Sequence, residues 1–87
     1  MQPIYLDNAA TTRVYKEVLD AMEPYHTCMY FNTSSAYSSA VDCEEMVKRT
    51  ENAIKRLLGA RKGNLIFTSG GTESINTVLF GVASKTR

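Results

Sequence analysis

The sequence predicts an α/β fold class, mainly helices with one or two short strands. Three observations carry that expectation. The 87 residues are 44% hydrophobic and 22% charged, an ordinary globular composition rather than a disordered one. Residues 41–58 and 73–83 carry apolar side chains at helical spacing. The last third of the chain reads helix, turn, strand, turn, helix, the order of proteins whose parallel strands lie inside a sheet.

The elements follow in order. Ile4-Tyr5-Leu6 is a short apolar run broken by Asp7-Asn8, which reads as a short strand or extended arm and then a turn. Ala9-Ala10-Thr11-Thr12 is small and hydroxyl-bearing, and Thr12 is a candidate helix N-cap. Val14, Val18, Leu19 and Met22 share one helical face, with Pro24 ending that helix or following its end. Residues 26–40 have no period and are rich in Ser and Thr, so they read as a long loop, either functional or simply a surface connection.

The strongest helix is expected over residues 41–58. Cys43, Met46, Val47, Thr50, Ile54, Leu57 and Leu58 fall on one face, and Lys48, Arg49, Glu51, Asn52, Lys55 and Arg56 on the other. Gly59 is placed to close it in the left-handed conformation. Residues 61–64 make a turn, 65–68 a short strand, and 73–83 a helix with Ile75, Val78, Leu79 and Val82 on one face.

Charge and cysteine content exclude several classes. The formal net charge of +1 favours neither a nucleic-acid partner nor an acidic surface. The cluster Lys55, Arg56, Arg61 and Lys62 reads as a solvated helix end. Residues 1–12 lack the basic and apolar regions of a secretory signal, and no apolar run approaches a membrane span, so the expectation is cytoplasmic with no membrane partner. Cys28 and Cys43 are too few for a disulfide framework or a zinc site, and no metal ligands are assigned. Cys43 is expected to be a small buried residue within its helix.

A strand over 65–68 expects neighbours on both sides, and the sequence offers one other candidate. Ordering 87 residues costs on the order of 130 kcal/mol, which a sheet lacking most of its strands does not offset. The chain therefore reads as the opening part of a larger protein.

The stretch Ser69-Gly70-Gly71-Thr72-Glu73 lies between strand and helix. Two residues without Cβ let backbone amides approach a ligand, and a helix beginning near Thr72 or Glu73 leaves its first amides unpaired and partly positive. With the hydroxyls of Ser69, Thr72 and Ser74, these make an anion site suited to phosphate. The stretch matches neither common phosphate-loop pattern in full, and a plain tight turn with Thr72 as N-cap is the alternative.

Two separated stretches bear on that choice. IYLDNAATT at residues 4–12 and FTSGGTESIN at residues 67–76 resemble the cysteine desulfurases of the NifS/IscS type, members of the class V aminotransferase family of pyridoxal phosphate enzymes. Between them, Phe31-Asn32-Thr33-Ser34-Ser35 resembles the family's Gly-Asn-Pro-Ser-Ser segment, and Leu58-Gly59-Ala60 its Leu-Gly-Ala. The resemblance covers nearly the whole chain.

The resemblance implies an N-terminal fragment of the pyridoxal-phosphate-dependent transferase fold type I, with residues 1–30 as N-terminal arm and start of the smaller domain. Residues from about 40 to 87 would begin the large cofactor-binding domain. It implies pyridoxal 5′-phosphate as cofactor, its phosphate held by Gly71 and Thr72. It implies L-cysteine as family substrate, cleaved to L-alanine with sulfur held as an enzyme persulfide. A homodimer, or completion by another chain, is implied as well. The family's Schiff-base lysine and persulfide cysteine lie downstream of the glycine turn, so no catalytic role is carried onto any residue here, and the 87 residues alone are expected to be inert. Other class V chemistry (selenocysteine cleavage or transamination) and a small non-enzymatic binding module are the alternatives. The sequence departs from the family pattern at Phe31 for Gly, Thr33 for Pro, Tyr37 for a usual His, and Thr50-Glu51 for Ala-Arg. A bulky Phe for Gly narrows the allowed backbone dihedrals.

Overall fold

A computed structural model describes residues 1–86. Three helices are present: α1 (Lys16–Thr27), α2 (Ser38–Leu57) and α3 (Gly71–Lys85). The chain divides into two compact units, Met1–Val47 and the residues from Lys48 onward, with the division falling inside α2.

In the first unit the N-terminal run stays irregular. Residues 4–6 form no strand, which corrects the first strand expectation. The expected turn follows, closed by Ala10 N–H donating to Asp7 O at 3.0 Å, while the Tyr5 hydroxyl donates to the same carbonyl at 2.8 Å. Thr12 is not an N-cap. The helix begins at Lys16 behind an extended Tyr15 whose side chain makes no capping bond. Pro24 does not end α1 but lies inside it. Its missing N–H deprives Asp20 O of a helical partner. Its own carbonyl recovers two donors, Cys28 N–H at 2.9 Å and Met29 N–H at 2.7 Å, which close the C-terminus.

Residues 29–37 lead into α2. Tyr37 O accepts from Ala40 and Val41 N–H, so α2 starts three residues earlier than its apolar pattern suggests. Ala40 and Cys43 are the buried residues among those described, 0% and 5% exposed, as expected for Cys43. The Cys43 thiol donates to Met29 O at 3.4 Å.

In the second unit α2 ends in a Schellman motif. Gly59 has φ +67°, Gly59 N–H donates to Arg56 O at 3.2 Å, and Ala60 N–H donates to Lys55 O at 2.8 Å. The turn after it is closed by Gly63 N–H on Ala60 O. Residues 65–68 form no strand, the second correction to the predicted elements. A strand is defined by its ladder partner, and among the described residues none lies beside this segment. The outcome is three helices with no strand among the described residues.

Neither unit builds a core of large side chains. Ile75, Val78 and Leu79 of α3 are 61%, 63% and 61% exposed. Within the second unit α3 does not pack on the end of α2, and within the first α1 does not pack on the start of α2. No helix among the described residues is long and apolar enough to cross a membrane.

Candidate phosphate-binding turn

The glycine turn is held at both ends by side chains. Thr68 and Ser69 precede it, and Glu73 and Ser74 follow it. Ser69 donates its backbone N–H, at 2.8 Å, and its hydroxyl, at 2.6 Å, to Glu73 Oε2. The Thr68 hydroxyl donates to Gly70 O at 3.0 Å and shares a 2.6 Å hydrogen bond with the Ser74 hydroxyl. Two ties therefore run across Gly70-Gly71-Thr72, one beside the other.

The helix starts one residue before Thr72. Gly70 is the N-cap and has no side chain to offer, so Thr72 is the second residue of α3 and not its cap. Glu73 occupies the third helical position. From there a Glu commonly reaches back to the N-cap amide. Here it reaches one residue further and takes the amide and hydroxyl of Ser69. These two bonds, the hydroxyl's first, hold the Glu73 carboxyl below the ordinary glutamate range despite its exposure.

This geometry sorts the expected ring of hydroxyls. Ser69 is turned to Glu73 and Ser74 to Thr68. The Thr72 hydroxyl makes no hydrogen bond among the described residues. The amides of Gly71, Thr72 and Glu73 head the helix and lack intrahelical acceptors, while Ser74 N–H is the first to bond back, to Gly70 O at 3.2 Å. A Cβ placed on Gly70 or Gly71 would meet no atom within 4 Å. Gly70 is extended at φ 168°, a conformation open to any residue. Neither glycine is thus demanded by the chain's own packing or by its backbone here. What their missing side chains leave is a bare approach to the helix amides. Backbone donors, one hydroxyl and the positive end of a 15-residue helix suit the phosphate of a cofactor.

Away from the turn, a concavity of about 480 Å³ is lined by Asn8, Thr12, Arg13 and Tyr15 in the N-terminal unit. Among the described residues no cluster of His, Cys, Asp or Glu could hold a metal ion.

Comparison with known proteins decides the ancestry. The profile of the aminotransferase class-V family matches residues 4–87. The chain belongs to this family. It is 40% identical over 84 residues to a cysteine desulfurase IscS of Methanosarcina thermophila, covering 97% of this chain and 21% of that one. It is 44% identical over 79 residues to cysteine desulfurase 2 of Trichormus variabilis, covering 91% of this chain and 20% of that one. Against a cysteine desulfurase IscS of Rickettsia typhi it is 40% identical over 82 residues, with 93% and 20% covered. The chain thus spans about a fifth of the length of these relatives. No solved structure matches it. As a class-V aminotransferase segment it carries the family's pyridoxal-phosphate-dependent ancestry.

The residue that sequence reasoning missed is Glu73. It was legible as an acid at the start of the helix expected over 73–83. Its partner was not, because the usual capping box would have sent it to Gly70 instead of Ser69.

Proposed function

We propose that this chain forms the N-terminal part of a pyridoxal-phosphate-dependent cysteine desulfurase, and that Gly71 and Thr72 bind the cofactor phosphate. The supporting observation is the bare Gly70-Gly71-Thr72 turn at the head of α3, in a chain about 40% identical to cysteine desulfurases. In this reading the Gly71 and Thr72 amides and the Thr72 hydroxyl donate to phosphate oxygens, and the α3 dipole favours their charge. The bound cofactor would supply an electron sink for the carbanion formed on an amino-acid substrate. The chain's own contribution is to anchor and orient that cofactor by its phosphate.

In the same reading residues 1–30 form the arm and start of the smaller domain, and residues from about 40 to 87 the start of the large one. L-cysteine is the substrate, and the released sulfur serves iron-sulfur cluster assembly or another acceptor. The working protein is a cytoplasmic homodimer or is completed by a second chain. The 87 residues by themselves turn over no substrate.

The test is sulfur and alanine release from L-cysteine by the native protein, isolated with whatever residues flank this segment and supplied with pyridoxal phosphate. With an added dithiol reducing the persulfide sulfur to sulfide, equimolar alanine and sulfide are expected, with none from the 87-residue chain above free cofactor. Turnover confined to L-selenocysteine, or to amino-group exchange with a 2-oxo acid, would replace desulfuration with another class V chemistry.

A further inference from the structure

We infer that Glu73 is a positioning residue for phosphate binding: its carboxylate holds Ser69 and thereby keeps the Gly71 and Thr72 donors directed outward for the ligand. The inference rests on the phosphate reading of the turn given above and goes beyond it by naming the residue that shapes the turn.

The argument begins with a conflict. A carboxylate in the first turn of α3 competes with any anion for the same positive helix end. Left loose, Glu73 could fold over the amides of Gly71 and Thr72 and satisfy them itself. The structure gives its carboxylate another occupation. Oε2 accepts two donors from Ser69, at 2.6 and 2.8 Å, on the far side of the glycine pair. The backbone carbonyl of Glu73 is engaged by the Thr77 hydroxyl at 2.8 Å, which ties the residue into the next turn of the helix.

The second tie, Thr68 with Ser74, fixes the same two arms one residue further out on each side. Between the two ties, Gly70 and Gly71 are the residues with the widest choice of backbone conformation. Bracing them from both sides reduces the states the turn must give up when a ligand arrives, and pre-organisation of this kind appears as affinity. The hydroxyl of Ser69 is spent on the brace and is not a ligand donor. That of Thr72, one residue before Glu73, is left for the ligand.

The experiment compares two ligands that differ by the phosphate alone. The native protein is stripped of cofactor, and its dissociation constants for pyridoxal 5′-phosphate and for pyridoxal are measured by titration. Their ratio isolates the phosphate contact from folding and from recognition of the ring. E73A is expected to lower this preference for phosphate about tenfold, the scale of losing hydrogen bonds to a charged group. E73Q keeps an acceptor at the same reach and is expected to stay within about threefold of the unsubstituted protein. Should E73A fail to fold, S69A removes the hydroxyl half of the brace and is expected to lower the ratio while E73Q does not.

Equal losses for both ligands in E73A would make Glu73 a helix-stabilising residue only and overturn the inference. T72V serves as the control on the underlying reading. A lowered ratio in T72V with an unchanged ratio in E73A and S69A would leave the phosphate site standing and remove the role of Glu73. An unchanged ratio in T72V would overturn the phosphate site itself.

Discussion

The rings of Phe31 and Tyr37 meet edge to face, centroids 6.0 Å apart and planes at 80°. These are two of the positions at which the chain departs from the cysteine desulfurase pattern, where a Gly and a His are usual. The departures touch each other. Tyr30 extends the cluster by stacking on Phe31 at 5.8 Å. The backbone accommodates the bulky residue without strain, since no non-glycine residue described has a positive φ. The turn beneath is an Asx-turn, in which Ser34 N–H donates to Asn32 Oδ1 at 2.9 Å and Ser35 N–H to Asn32 O at 3.0 Å. With Thr33 in place of Pro, the side chain of Asn32 supports the turn.

The contact predicts coupling between the two substitutions. In a double-mutant cycle on the native protein, F31A and Y37A are expected to be non-additive by about 1 kcal/mol, the usual scale of an edge-to-face pair. Urea denaturation of the four proteins measures it. Strict additivity would mean that the two changes arose independently in energetic terms.

Glu73 predicts a local acid transition at the head of α3. Its carboxyl is lowered in the folded chain by the two Ser69 bonds. A lowered pKa means that the folded form holds its proton less tightly than the unfolded form. The stabilisation is therefore complete above the ordinary glutamate range and is lost as pH falls through the lowered folded value. Carbon-detected titration of Glu73, with exchange of the Ser69 amide followed in parallel, is expected to show both changing together. Full exposure of the carboxyl makes the effect small and sensitive to salt.

Gly59 predicts a stability cost that depends on side-chain type. Its φ of +67° lies in the left-handed region, and a Cβ there would meet no neighbour within 4 Å. The penalty for G59A is thus one of backbone conformation and not of crowding, about 1–2 kcal/mol. G59N is expected to lose less, because Asn tolerates this region better. Thermal unfolding of the native protein and its two variants checks the order Gly, then Asn, then Ala.

The isolated chain of 87 residues is expected to show no cooperative unfolding transition. Ala40 and Cys43 are too small to make a core, and the apolar residues of α3 face solvent. Calorimetry is expected to show a gradual loss of helix on heating. A sharp transition would reveal a core that these helices build by themselves.

How much of this was legible follows from how local each feature is. The three helices were readable because 3.6-residue periodicity is written within each segment, and Gly59 because a helix end needs one residue that accepts positive φ. The edges moved. Tyr37 starts α2 through its carbonyl, which no side-chain pattern announces, and Pro24 proved compatible with α1 because an exposed helix can lose one hydrogen bond to water. The strand at residues 65–68 was the clearest failure. Its apolar run is local, but a strand exists only in a ladder, and no ladder partner lies among the described residues. At the turn, the placement of Gly71 and Thr72 at a helix head was readable, whereas the pairing of Ser69 with Glu73 depended on Gly70 having no side chain to answer with.

The two cysteines part company in a way that matters for a sulfur-handling ancestry. Cys43 is buried, with its S–H directed to Met29 O, while Cys28 lies on the surface beside the Thr27 hydroxyl. A persulfide migrates by attack of an accessible thiolate on sulfur. Burial therefore closes the Cys43 thiol to such attack and exposure leaves Cys28 open to it. Alkylating reagents should mark Cys28 quickly and Cys43 slowly, so the slow site doubles as a chemical clock for opening of the loop that carries Phe31.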